Sequence, residues 1–277
     1  MQTKTQKAQI NPRAKRTQRS QLAIVQRQSP NFNERGGASI LFLVLHYTAM
    51  DTTESAIERL CDPKAEVSAH YVVGDVVVND AVTVYQLVDE SKRAWHAGVS
   101  FWDGHDSLNS PSIGIEIANP GNIPFGKEQM DAVTALCQDI IKRNKIRSFY
   151  VIAHSDIAPD RKQDPGELFD WQGLASVGIG VWPVPAQIDI DTSSKWTDAD
   201  VMKSLNKFGF VTGQDLKTLV TAFQRHFQPE AFKTSQQAGV GVADDQTKSR
   251  LACLLRRKAI SDGLLARKNR LAGTSAA

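Results

Sequence analysis

The run Ser39 to Tyr47, SILFLVLHY, narrows the possible folds at once. It is of strand length, yet it lacks the apolar and polar alternation of a strand with one wet face. Such a strand is buried on both faces, as in sheets that carry helices above and below. The run ends at His46, so the strand that needs a two-sided core also delivers an imidazole to its C-terminal edge.

The following segments supply the rest of such a fold. Asp51 is placed to cap a helix over Thr52 to Leu60. A second β region spans Ser68 to Val88, and the turn-like pairs Gly74-Asp75 and Asn79-Asp80 divide it into a hairpin or meander. Trp95 to Asn109 mixes aromatics, Gly and His without a period, which marks a long functional loop. Ser112 to Ala118 is a further strand, with Glu116 near its end. Lys127 to Asn144 has helical apolar spacing at Met130, Val133, Leu136, Cys137, Ile140 and Ile141. Phe149 to Ala153 is a strand that delivers His154, and Ser155 to Asp170, rich in Pro, Gly and Asp, is a loop.

Strands alternating with helices predict an α/β domain over residues 31–185, a central mixed β-sheet flanked by helices. A linker follows at residues 186–195. Helical spacing over Asp198 to Lys207, Gly213 to Phe227 and Asp244 to Ile260 then predicts a small three-helix C-terminal domain at residues 196–262, with a frayed tail at 263–277. A length of 277 residues suits this division.

No apolar run approaches the roughly 20 residues of a membrane span, so no transmembrane segment is expected. The net charge of +3 is too small to argue for nucleic acid, and none is expected as a partner. Met1 to Asn33 holds seven Lys or Arg residues and no acid, which reads as a solvated, disordered arm over residues 1–30. It carries neither the apolar core and cleavage site of a secretory signal nor a cysteine for lipidation. Cys61, Cys137 and Cys253 are widely spaced and odd in number, and are read as reduced thiols.

Two histidines, His46 and His154, each close an apolar strand, at the edge where ligands gather in α/β sheets. A carboxylate follows in a Pro- and Gly-bounded loop at Asp164. Catalytic zinc takes three protein ligands of this kind and keeps a fourth position open. Two neutral imidazoles and one carboxylate leave such an ion a net positive charge, enough to polarise an amide oxygen. A turn-capping Asp164 satisfies the same spacing. Glu116, a carboxylate in an apolar strand, is costly to bury unless paired or functional. His105 and His226 are read as surface residues.

His154 to Trp171, HSDIAPDRKQDPGELFDW, resembles the signature of the AmpD-like and AmiD-like N-acetylmuramoyl-L-alanine amidases, relatives of the peptidoglycan recognition proteins. The other landmarks of that family fall in order: SPNFNER from Ser29, LHYTA from Leu45, SAHYVV from Ser68, AWHAG from Ala94 and SIGIEI from Ser112. The resemblance implies zinc ligands at His46, His154 and Asp164. It assigns Glu116 to orienting or deprotonating the attacking water, and Lys162 to facing the developing oxyanion. The amide cut would lie between the lactyl group of (anhydro-)N-acetylmuramic acid and the L-alanine of the stem peptide. His70, Trp95, His96 and Asn119 are candidates for pocket walls against peptidoglycan or a muropeptide, and Arg161 for gripping a stem-peptide carboxylate. A silent muropeptide-recognition protein and a zinc peptidase cutting within the stem are the competing readings; the first loses zinc ligands that are present here.

LNKFGF at Leu205 to Phe210 and AFQRHFQPE at Ala222 to Glu230 resemble a three-helix peptidoglycan-binding module, with Gln236 to Val242 as an insertion. Such a fusion raises local concentration on a polymer and favours the cell envelope or periplasm over the cytoplasm. Oligomeric state is not legible in the sequence.

Overall fold

The computed structural model describes residues 22, 24–233 and 237–274. The strands are β1 (Ile24–Gln26), β2 (Phe32–Glu34), β3 (Phe42–Tyr47), β4 (Tyr71–Val78), β5 (Ala81–Gln86), β6 (Lys92–Ala94), β7 (Phe101–Trp102), β8 (His105–Asp106), β9 (Ser112–Ile117) and β10 (Val151–Ala153). The helices are α1 (Thr53–Cys61), α2 (Lys127–Asn144), α3 (His154–Ile157), α4 (Trp171–Ser176), α5 (Gln187–Ser193), α6 (Asp198–Phe208), α7 (Leu216–Phe227) and α8 (Asp245–Thr274). Six strands form one sheet in the order β1-β5-β4-β9-β3-β10. It is mixed: β4 and β5 are antiparallel, whereas β4, β9, β3 and β10 run parallel.

The apolar run behaves as its composition requires. Phe42, Leu43, Val44 and Leu45 are each 0% exposed, and their side chains alternate between two cores. Leu43 and Leu45 join Ile113, Ile115 and the Val133, Leu136 and Ile140 face of α2. Phe42 and Val44 join Trp102 and Ile152, and against them pack Val201, Leu205 and Phe208 of α6, Leu219 and Phe223 of α7 and Leu251 of α8. The C-terminal helices therefore cover the second face of the sheet and share its core.

Several local expectations are corrected. Thr52, not Asp51, caps α1, its hydroxyl accepting from Ser55 N–H at 3.1 Å. Asn79 and Asp80, both at positive φ, make the hairpin turn, whereas Gly74 lies inside β4 at an irregularity in register. A Cβ at Gly74 would stand 3.1 Å from the Thr83 carbonyl oxygen, so the strands approach closely at this glycine. The loop from Trp95 to Asn109 holds the short β7 and β8 hairpin. The expected linker is helical over α5, and Asp189 there accepts from Arg256 of α8 at 2.7 and 2.8 Å. α8 continues through the expected tail to Thr274.

The expected arm lies outside the described residues up to residue 21. Its last part is ordered: β1 pairs parallel with β5, and Ser29 donates to the Leu60 carbonyl at 2.6 Å. All three cysteines are free. Among the described residues no helix is long and apolar enough to cross a membrane.

One core beneath both faces of β3 has a measurable consequence. Phe208→Ala, at a side chain 2% exposed, should cost about 3–5 kcal/mol. Calorimetry of the wild-type chain should show sheet and C-terminal helices melting in one transition. Two separate transitions would contradict a shared core.

Candidate metal centre

Strand register gathers the polar residues. β3 and β9 pair with His46 opposite Glu116, and β3 and β10 pair through Leu45 and Ala153, so His154 follows immediately beyond the last pair. All three side chains thus rise from the C-terminal edge of neighbouring parallel strands. Asp164 arrives from the loop after α3, and its carbonyl oxygen accepts from Ser155 N–H at 3.0 Å, tying the loop to the first turn of α3.

His46 Nδ1, His154 Nδ1 and Asp164 Oδ2 form a triangle with sides of 2.9, 2.9 and 3.0 Å. All three residues are buried, and they form a group that could hold a metal ion. Three lone-pair-bearing atoms aimed at one point fit a small cation: a triangle of this size has its corners about 1.7 Å from its centre, within the about 2.0–2.2 Å that such an ion keeps to nitrogen and oxygen.

The outer faces of the two rings are wired. With Nδ1 bare, each ring carries its proton on Nε2. That of His46 donates to His96 Nδ1 at 3.0 Å, and that of His154 points to the Ala97 carbonyl at 3.3 Å. His96 then donates from its own Nε2 to Ser112 Oγ at 3.0 Å, and that hydroxyl donates to the Leu108 carbonyl. Such outer partners fix the tautomer and aim of metal-ligating imidazoles. Gly114 is essential here, because a Cβ at that position would stand 2.5 Å from the His96 ring.

Burial, reinforced by the neighbouring His154, lowers His46 to about 4. Burial pushes Asp164 upward, but His154 and His46 outweigh it and hold the carboxyl far below the usual range. Glu116 moves the other way, well above the ordinary value, through burial and then the Asp164 charge, with Lys162 opposing. Glu116 Oε2 is shut off from solvent and has no partner among the described residues.

A cavity of about 210 Å³ opens over this group, and Glu116, Lys162, Trp95 and His96 line it with His154 and Asp164. Its other wall, not foreseen from sequence, comes from α1 and its flanks: Met50, Ala56, Arg59, Leu60 and Val67. The only sequence signal for that wall is its place directly after the His46 strand.

Three other candidates sit elsewhere. His70 is 0% exposed; its Nδ1 accepts from Gly114 N–H at 3.0 Å and its Nε2 faces the Lys92 carbonyl at 3.1 Å, so it braces β4 against β9. Asn119 organises its own loop, donating to the Ile123 carbonyl and accepting from Gly121 N–H. Arg161 donates to the carbonyls of Ala97 and Val99 and packs over Gly98, where it braces the loop that receives His154. His105 is half-buried against Phe42, and His226 is buried rather than on the surface, in contact with Asp156.

Burial of neutral histidines sets a pH dependence for the metal-free chain. His46 titrates at about 4 and His70 at about 3 instead of 6.5, and His96 is also lowered well below 6.5 by burial and its histidine neighbours. Unfolding therefore takes up protons as these groups recover their ordinary values, and stability falls on acidification below 6.5. Glu116 works oppositely, since the folded chain keeps a proton that the unfolded chain releases above 4.5. With a chelator present, the urea midpoint should drop between pH 7 and pH 5, by about two protons' worth of linkage. A flat or rising midpoint would contradict neutral burial.

A family model described as N-acetylmuramoyl-L-alanine amidase matches residues 36–167. The N-acetylmuramoyl-L-alanine amidase AmiD of Escherichia coli is 37% identical over 239 residues, 79% of this chain and 83% of that protein. A solved complex of E. coli AmiD with anhydro-N-acetylmuramic acid-L-Ala-D-gamma-Glu-L-Lys aligns at a TM-score of 0.69 and 36% identity, covering 83% of this chain and 93% of the other. AmpDh3 of Pseudomonas aeruginosa, in complex with an anhydromuramic pentapeptide, aligns at a TM-score of 0.69 and 30% identity, covering 84% and 96%. The mixed sheet and C-terminal helices are shared with the AmiD fold. Similarity of this extent, over most of both chains, makes this chain a member of the N-acetylmuramoyl-L-alanine amidase family.

Proposed function

We propose that the chain is a zinc-dependent peptidoglycan amidase that hydrolyses the bond between the lactyl group of (anhydro-)N-acetylmuramic acid and the L-alanine of the stem peptide. The observation that carries this reading is the buried triangle of His46, His154 and Asp164, two of whose members, His154 and Asp164, line a cavity together with Glu116 and Lys162. His46, His154 and Asp164 hold the zinc. Bound there, zinc supplies a Lewis acid that polarises the amide carbonyl and acidifies water.

The chain's own groups supply the rest. Glu116 accepts the proton of the attacking water and returns it to the alanine nitrogen as the amide C–N bond breaks. The Oε2 of Glu116 has no partner among the described residues, and the charge of a bound zinc would oppose the rise that burial gives its proton affinity in the metal-free chain, so the carboxylate could take a proton and return it. Lys162 places a fixed positive charge where the amide oxygen becomes anionic. Trp95 offers an aromatic wall, its indole Nε1 held by Asn33 at 3.1 Å. His96 acts behind His46. The cavity holds a sugar–peptide junction rather than a whole polymer, and the resemblance of the C-terminal helices to a peptidoglycan-binding module supports a working place in the cell envelope.

Glu116→Gln should keep its zinc and lose about 100-fold to 10,000-fold in kcat; zinc loss in this variant would make Glu116 a ligand. His154→Ala should lose its zinc on dialysis, and a fully metallated, active variant would refute the ligand set. Mass spectrometry of a digested anhydro-muropeptide tests the reaction itself. Free anhydro-N-acetylmuramic acid and a stem peptide beginning at L-alanine are expected, whereas a cut within the stem, or none, would overturn the reading.

A further inference from the structure

Asp156 and His226 form a buried acid–base pair that the proposed reaction does not use. They are 0% and 1% exposed at the side chain, and His226 Nδ1 stands 2.7 Å from Asp156 Oδ2 across a sequence separation of 70 residues. His226 belongs to α7, in the C-terminal helices. Asp156 belongs to α3, the four-residue helix that begins with His154.

A polar pair is an expensive way to fill a core that is otherwise Phe, Leu and Val. Desolvating it is costly, and an apolar pair of similar volume is often at least as stable. This pair makes directional bonds. Asp156 Oδ2 also accepts from Ala153 N–H at 2.8 Å, which fixes the backbone on which His154 leaves β10. Ser155, between His154 and Asp156, donates its N–H to the Asp164 carbonyl. The turn gripped by His226 therefore sets both His154 and Asp164.

The His226 ring cannot swing. It is stacked between Trp171 at 3.7 Å and Phe227 at 3.8 Å, with interplanar angles of 26° and 9°. Trp171 opens α4, just beyond the Asp164 loop. One residue earlier on α7, Arg225 donates to Glu167 Oε2 at 3.3 Å, so the same turn of helix also holds the chain three residues past Asp164. Neither Asp156 Oδ1 nor His226 Nε2 has another partner among the described residues, so the pair's bonding is directed at this joint.

We infer that His226 is a positioning residue for the metal centre: through Asp156 it fixes the α3 turn that aims His154 and Asp164, making the C-terminal helices part of the active site as well as its neighbours. The inference rests on the metal reading above. Its test is zinc affinity, measured by competition with a chromophoric chelator, together with thermal stability, on the full chain. His226→Ala should raise the zinc Kd at least about ten-fold, the usual scale for losing a partner behind a ligand. His226→Asn, whose amide nitrogen stands where Nδ1 stood, should restore a Kd close to wild type and remain measurable if His226→Ala fails to fold. Leu205→Ala, a cavity in the same core on a different helix, should lower the melting temperature without moving the Kd.

A wild-type Kd in His226→Ala, or a Kd that weakens equally in Leu205→Ala, would overturn the inference and leave the metal reading intact. A wild-type chain that takes up no zinc would overturn the metal reading itself, and this inference with it.

Discussion

Parallel pairing of β3 with β9 on one side and β10 on the other sets His46 opposite Glu116 and brings His154 just past the Leu45 and Ala153 pair. Every later feature of the site depends on that register. A slip of one residue would turn each side chain to the other face of the sheet, sending His46 and Glu116 into the core under α2. The slip is opposed by the full length of β3, whose alternate residues are committed to two different cores. The energy that fixes the chemistry is thus hydrophobic, stored in residues that never touch a substrate.

Register alone delivers imidazoles without aiming them. Aim comes from the outer ring nitrogens, where His96, Ser112 and the Ala97 carbonyl leave each Nδ1 bare toward Asp164. Arg161 holds the Ala97 loop in turn, and His226 holds the α3 turn from the C-terminal side. Burial suppresses protonation of His46 and His96 and raises Glu116, so one dry environment keeps those two imidazoles neutral and disposes the neighbouring carboxylate to hold a proton.

The strands that bear His46, Glu116 and His154 are legible in the sequence because unbroken apolar runs have few other uses, and α2 because its spacing follows one helical face. Asp164 is legible through its motif rather than through any spacing. What escapes is tertiary. His226 reads as a surface residue because nothing around it in sequence reveals Asp156, 70 residues away. Arg161 reads as a substrate grip, yet its guanidinium is spent on carbonyls of the Ala97 to Val99 loop. The segment around Asp189 reads as a linker because its helix is stabilised from outside, by Arg256 of α8. Arg59 and Met50 enter the cavity wall through the placement of α1, which no local pattern encodes.

Zinc K-edge absorption on the metal-loaded chain reads the ligand set itself. Two imidazole nitrogens from His46 and His154 and one carboxylate oxygen from Asp164 predict a first shell of nitrogen and oxygen scatterers at about 2.0–2.2 Å, with the outer-shell pattern of two imidazole rings. A sulfur scatterer near about 2.3 Å, from Cys61, Cys137 or Cys253, or a shell without imidazole, would contradict it.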